Sequence, residues 1–317
     1  MKNAVISGTG SYSPQKQLTN AELETMIDTD HEWIVSRTGI SSRAIAESHE
    51  TTSFMATKAA EQALASASML AEQIDLIIVA TCTPDAFFPS VACNVQHALK
   101  ITKPIPAFDI SAACSGFVYA MDMAKQYIAT GSAQHVLVIG SESMSKVVDW
   151  TDRSTCILFG DGAGAVILSS SERQGIMGSV LHSMYDKEGF LTLENGTSSE
   201  ERCTINMRGN EVFKLAVNIM GDVVDEVLEI SKLKKSDINW LIPHQANIRI
   251  IQAIAKKLSL PMSQVIVTIA NQGNTSAASI PLALDYSIKN NHIQRDQLLL
   301  LESFGGGMTW GAMVIRY

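Results

Sequence analysis

The chain repeats itself at a spacing close to half its length, and this limits its fold more than any other feature. Asp75-Leu-Ile-Ile-Val-Ala-Thr-Cys82 aligns with Asp237-Ile-Asn-Trp-Leu-Ile-Pro-His244 at an offset of 162 residues. Each segment reads as a buried strand that follows a helix and a short polar loop and leads into another helix. Residues 131–142 align in the same way with 291–302, at an offset of 160. One matching strand would carry little weight, because every alternating βα chain reuses the pattern. Two matches at nearly one offset imply two copies of a single α/β unit, with ligand sites expected where the copies meet. The Gly- and Ser-containing stretch 176–206 reads as the join, which places the halves at 1–172 and 173–317.

Within the first half, Asp109-Ile-Ser-Ala-Ala-Cys-Ser-Gly-Phe117 carries the most chemistry. Residues 105–111 read as a strand, and Phe117, Ala120, Met121 and Ala124 recur at helical spacing, so Cys114 is expected in a helix's first turn. Open backbone N–H groups and the positive end of the helix dipole there favour thiolate, which predicts a pKa below the usual value of about 8.5. Without further context, a small buried structural cysteine fits the same place. Carrying the offset of 160 from Cys114 leads to Asn274, so the two residues are expected to begin equivalent helices. A lone His is more often a satisfied structural residue than a catalyst, but His244 ends a strand of the second half, a position that shifts the reading towards function.

Other stretches sort by local pattern. Residues 20–27 read as a helix capped by Asn20, 52–65 as an Ala-rich helix, 210–230 as a long amphipathic helix and 247–258 as another. His31, Glu32, Trp33, Arg37 and Arg43 surround a Thr38-Gly39 turn, a mixture suited to stacking a base and pairing phosphates, or equally to a solvated loop with an anchoring Trp. Residues 155–159 and 164–169 read as two short strands joined by Gly160-Asp-Gly-Ala-Gly-Ala165. That turn matches a dinucleotide fingerprint in letters only, since the fingerprint needs a helix to start at its glycines and a strand follows here. Ser143-Met-Ser-Lys146 is treated as a chance match to a lactamase motif. Gly305, Gly306 and Gly307 could bring backbone N–H groups to a substrate oxygen or form a tight hairpin turn between 301 and 315.

Composition excludes several classes. Five widely spaced cysteines without a C-x-x-C pair argue against a disulfide framework and a structural metal. A net charge of −8 argues against nucleic acid as the principal ligand. No run of 18 apolar residues and no leader-like opening are present, so no membrane partner and a cytoplasmic location are the expectation.

A Cys, a His and an Asn in this chain order fit two chemistries. A papain-like hydrolase has the residues in the right order but not the surrounding motif, and it does not account for the repeat. The alternative is thioester condensation. AACSGF around Cys114, PHQAN around His244, NQGNTSAAS from Asn271, EWIVSRTGI from Glu32, WTDRSTCILFGDGAGA from Trp150 and SFGGGMTWGA from Ser303 closely resemble the ketoacyl synthase III family of the thiolase fold.

The resemblance implies an α/β chain whose two halves pack as α-β-α-β-α layers. It implies that Cys114 accepts an acyl group from an acyl-CoA, and that His244 and Asn274 bind a malonyl thioester carbonyl as carbon dioxide leaves. The backbone N–H groups of Cys114 and Gly306 would form the acyl oxyanion hole. Trp33, Arg37, Thr38, Arg153, Asn210 and Asn247 would hold coenzyme A. Acyl carrier protein, an acidic partner, would meet Lys214, Gln245, Ala246, Asn247, Ile248, Arg249, Lys256 and Lys257. Phe87 and Phe88 would close the acyl pocket across a homodimer. No cofactor or metal is implied, because acyl-CoA and malonyl-acyl carrier protein are substrates. A related condensing enzyme that uses a longer or branched primer in secondary metabolism is the nearer alternative, and a catalytically idle carrier-protein binder remains the contrasting class. Family members often carry Arg where this chain has Ser41, which bears on the phosphate contacts. Degradative thiolases use a second, C-terminal cysteine, and no cysteine follows Cys203 here.

Overall fold

The structure is a computed structural model and describes residues 2–193 and 203–317; residues 194–202 of the expected join therefore lie outside it. The first half runs β1 (Asn3–Tyr12), β2 (Gln17–Thr19), α1 (Asn20–Glu24), α2 (His31–Thr38), β3 (Ser42–Ala44) and α3 (Thr52–Ser66). It continues through β4 (Leu76–Ala80), α4 (Val91–Ala98), β5 (Ala107–Ile110), α5 (Gly116–Ala129), β6 (His135–Ser143), α6 (Arg153–Cys156) and β7 (Asp161–Ser171). The second half runs β8 (Ile176–Ser183), β9 (Leu191–Leu193), β10 (Ile205–Met207), α7 (Gly209–Ser231), β11 (Trp240–Pro243) and α8 (Ile248–Lys257). It ends with α9 (Ile269–Gln272), α10 (Ser279–Lys289), β12 (Leu298–Gly305) and β13 (Thr309–Arg316).

The two large sheets have matching strand orders, β1-β7-β6-β4-β5 and β8-β13-β12-β11. In the second sheet Val265 forms only a lone parallel bridge to Leu241, where the first sheet has β5. Both sheets are mixed: β4 is parallel to β5 and β6, and β11 is parallel to β12, with the other pairs antiparallel.

Alternation along the strands divides the core into layers. From β6, Val136 and Val138 face the central layer with α5 and α10, while Leu137 and Ile139 face α3 and α4. From β12, Leu299 and Leu301 face that same central layer, while Leu298 and Leu300 face α7 and α8. The order is thus helices, sheet, helices, sheet, helices. Central helices covered on both faces must be apolar nearly all round, and Phe117, Val118, Met121, Ile280 and Leu284 are all buried.

Three local readings change. Thr19, not Asn20, caps α1, through a capping box with Glu22, and the Asn20 side chain turns inward to donate to the Ile40 carbonyl. Residues 153–156 form the short helix α6, capped by Asp152, and from Asp161 onward the glycine run lies inside the single long strand β7 rather than in a turn. Its glycines answer a packing need: a Cβ at Gly164 would sit 2.6 Å from the Pro281 carbonyl carbon of α10. Finally, Ala113 (φ 47°) and Ser276 (φ 48°) open equivalent turns ahead of α5 and α10. Their offset of 163 pairs Cys114 with Ala277, so Asn274 is not its counterpart. It precedes the turn that Ser276 opens.

Candidate active site

One cleft is lined by Cys114, His244 and Asn274 together. Cys114 stands on the short turn Ala113–Ser115 that feeds α5. The turn is fastened to the β12–β13 hairpin: the Ser115 hydroxyl donates to the Thr309 carbonyl at 3.0 Å, and the Thr309 hydroxyl to the Ala112 carbonyl at 2.8 Å. A Cβ at Gly305 would lie 2.6 Å from the Cys114 nitrogen, so only glycine lets the strand end approach the nucleophile's backbone. Gly306 lines the cleft beside it.

Burial pushes Cys114 up to about 11, further raised by the nearby Glu142 and opposed by the Ser276 hydroxyl and by Cys114's own backbone N–H. Desolvation outweighs the helix start, against the expectation from position alone. Glu142, itself raised by burial, lies beneath, with one carboxyl oxygen accepting from the Thr83 hydroxyl (2.6 Å), the Cys82 N–H (3.1 Å) and the Thr81 hydroxyl (3.2 Å).

His244 follows β11, and its backbone N–H donates to the Glu302 carbonyl at 2.8 Å. Burial holds the imidazole down at about 4, so it is neutral at physiological pH. Its Nδ1 lies 2.6 Å from the Ser279 hydroxyl at the start of α10. Asn274 is held by its backbone, whose N–H donates to the Leu158 carbonyl at 2.8 Å and whose carbonyl accepts from the Gly160 N–H at 3.0 Å. The Asn274 Oδ1 accepts from the Ser276 N–H at 2.9 Å, which leaves the amide NH2 as the free end.

Farther out, the guanidinium groups of Arg37 and Arg153 stack over the Trp33 ring at 5.2 and 4.9 Å. Trp33 packs against the Leu158, Phe159 and Ile205 cluster that forms a wall of the cleft. Asn247 lines the cleft and caps α8, accepting from the Arg249 N–H at 2.8 Å, and Asn210 is exposed in the first turn of α7. Thr38 does not fit the expected contact: it is buried, and its hydroxyl donates to the Ile34 carbonyl and accepts from the Ile40 N–H. Arg43 is fully buried, with its guanidinium on Leu18, Asn20 and Ile157, and so is closed to any phosphate.

The chain matches the family models described as 3-oxoacyl-[acyl-carrier-protein] synthase III over residues 108–184 and its C-terminal counterpart over 228–317. It is 52% identical to the beta-ketoacyl-[acyl-carrier-protein] synthase III of Thiobacillus denitrificans and 53% identical to that of Methylococcus capsulatus, covering 98% of both chains in each case. The chain belongs to the 3-oxoacyl-[acyl-carrier-protein] synthase III family. Its fold superposes on the Aquifex aeolicus 3-oxoacyl-[acyl-carrier-protein] synthase III with a TM-score of 0.95 at 49% identity, covering 99% of this chain and 100% of that one. As a member of this synthase family it is an acyltransferase with the thiolase fold.

The face expected to meet a carrier protein is only partly available. Arg249 is exposed, 5.8 Å over the Phe213 ring, and Lys214 and Lys256 are exposed. Lys257 instead donates to the Asn218 carbonyl and pairs with Asp222 on α7. Gln245 is buried, with its amide engaged by Pro243, Ile266 and Thr268, so its side chain cannot reach a partner. Ala246 lines the cleft, and Ile248 packs where a Cβ on Gly39 would strike it. Phe87 and Phe88 are 87% and 86% exposed. Sequence reasoning missed Cys82, Glu142, Ser276, Ser279 and Glu302; each lies within a few residues of a motif but acts through contacts between the halves or between strands.

Proposed function

We propose that the chain joins an acyl-CoA primer, of the acetyl class, to malonyl-acyl carrier protein, giving 3-ketoacyl-acyl carrier protein, carbon dioxide and free CoA, the step that initiates fatty acid synthesis. The observation that carries this reading is the convergence of Cys114, a neutral His244 and the amide of Asn274 on one cleft. The Cys114 sulfur attacks the primer thioester carbonyl, whose oxyanion is met by the backbone N–H groups of Cys114 and Gly306. The proton of the Cys114 thiol leaves with CoA. The malonyl thioester then places its carbonyl oxygen against His244 and Asn274, whose neutral donors stabilise the enolate formed as carbon dioxide departs. The enolate carbon attacks the acyl group, the bond to Cys114 breaks, and the sulfur regains a proton.

Neutral donors suit this better than an imidazolium, which would pull the proton equilibrium of the enolate toward the unreactive protonated form. Every carbon, oxygen and sulfur atom of the sequence comes from the two substrates and Cys114, and the proton that restores the thiol comes from solvent, so the proposed steps call for no cofactor. The hydrolase alternative needs Asn274 to orient His244, whereas the amide oxygen meets Ser276 and the imidazole meets Ser279.

Coenzyme A is assigned to the rim around Trp33, Arg37 and Arg153, with Asn210 and Asn247 nearer the cleft. The carrier protein is assigned to Arg249, Lys214 and Lys256, a small cationic face that would steer an acidic partner. No described helix is long and apolar enough to cross a membrane; the cytoplasmic location remains part of the proposal.

Labelled acetyl-CoA should load the wild-type chain at Cys114 and fail to load Cys114→Ser. His244→Ala or Asn274→Ala should keep loading yet lose malonyl decarboxylation by about a hundredfold. Arg249→Glu should raise KM for the malonyl carrier protein at low salt. A reduced wild-type chain that stays unlabelled would refute the mechanism.

A further inference from the structure

The hydrogen bonds around α10 identify the residue that sets the tautomer of His244, which the sequence motifs do not supply. The bond between Nδ1 and the Ser279 hydroxyl, 2.6 Å long, is consistent with either direction of donation. The rest of the Ser279 environment decides it. The hydroxyl oxygen already accepts from the Gln245 backbone N–H at 3.3 Å. Its own proton has no other acceptor among the described hydrogen bonds, and Ser279 is 1% exposed, so water does not replace one. Were Nδ1 protonated, two N–H donors would point at one oxygen while a buried hydroxyl proton went without a partner, a penalty that buried polar groups rarely carry. Charge is also excluded, because burial keeps the imidazole neutral and the amino end of α10 opposes a cation beside it.

We infer that Ser279 is a positioning residue that donates to His244 Nδ1, fixing the imidazole as the Nε2–H tautomer so that it meets the cleft only as a hydrogen-bond donor. Asn274 is set in the same way by the next turn of chain: the Ser276 N–H holds its Oδ1 and turns its NH2 outward. Two residues three positions apart on one segment, Ser276 and Ser279, thus give both members of the pair donor character. This matters because the same imidazole in the other tautomer would present a lone pair to the thioester oxygen and repel it. The functional consequence rests on the proposed decarboxylation role of His244, whereas the tautomer itself does not.

The test begins with nitrogen-15 imidazole NMR on the wild-type chain, with the His244 signals identified by their loss in His244→Ala. An unprotonated Nδ1 and a protonated Nε2 are expected. A protonated Nδ1 in the wild type overturns the inference outright, whatever the variants do. Ser279→Ala should convert His244 to a mixture of tautomers and slow malonyl decarboxylation at least about tenfold, mainly in kcat, while Ser279→Thr, which keeps the hydroxyl, restores both readouts. A Ser279→Ala chain with unchanged tautomer and unchanged decarboxylation also overturns it. Loading of Cys114 by labelled acetyl-CoA monitors folding of each variant. If the wild type has the expected tautomer but does not decarboxylate malonyl thioesters, the proposed function fails and the tautomer assignment stands.

Discussion

At the scale of single residues, burial governs the site. His244 at about 4 and Glu302 at about 8 are displaced in opposite directions by one cause, the cost of carrying charge away from water. Neither Glu302 carboxyl oxygen has a hydrogen-bond partner among the described residues. The unfolded chain releases this proton near 4.5, and the folded chain keeps it to about 8. The stability it contributes is complete below pH 4.5 and is lost as pH rises through 8. For His244 the folded value is the lower one, so its contribution is present above about 6.5 and lost as pH falls through 4. Glu302→Gln, isosteric with the protonated acid, should therefore weaken the fall in stability between pH 5 and pH 8.5. Denaturant titrations at the two pH values measure this, and an unchanged slope would assign the titration elsewhere. Residue identity was legible in the sequence at Cys114, His244 and Asn274, because their motifs are local. Protonation was not: the fall of the Cys114 pKa expected from the helix start is reversed by burial, with a smaller push from Glu142 on β6.

At the scale of elements, the period of the apolar residues located most strands and helices, and errors arose where two elements meet. The stretch 160–165 looks like a turn because it is rich in glycine, yet the strand runs through it from Asp161 onward, and Gly164 makes room for Pro281 of α10, 117 residues on in sequence. The repeat was visible, but its register was not, since the turns before α5 and α10 align only through the left-handed residues Ala113 and Ser276, and neither is a glycine that would advertise the conformation. Contact between the hairpin and the nucleophile turn gives a sharper prediction. Gly305→Ala would place its methyl against the Cys114 nitrogen. It should lower kcat for acyl transfer about a hundredfold, as expected for a displaced oxyanion donor, and reduce stability by about 1–3 kcal/mol. Stopped-flow acylation and denaturant unfolding report the two effects separately.

At the scale of the whole molecule, the duplicated halves and the layered order were readable from the repeat and the resemblance, while the surface was not, because exposure depends on which side chains neighbouring elements occupy. Lys257 illustrates this: helical spacing puts it beside Lys256, but α7 captures it through Asp222. Phe87 and Phe88 present the opposite case, two aromatic side chains left in water on the loop between β4 and α4. A homodimer that covers them follows as a proposal. Phe87→Asp should shift the sedimentation coefficient toward the monomer and alter primer preference, and a wild-type chain that sediments as a monomer at micromolar concentration would refute it.

The cleft that reaches Cys114, His244 and Asn274 also dictates the traffic through the molecule. In the proposed reaction both thioesters reach the same sulfur through this cleft, so coenzyme A departs before the carrier-borne substrate enters. Turnover is then a queue rather than a meeting. An excess of either substrate slows the other simply by standing in its place.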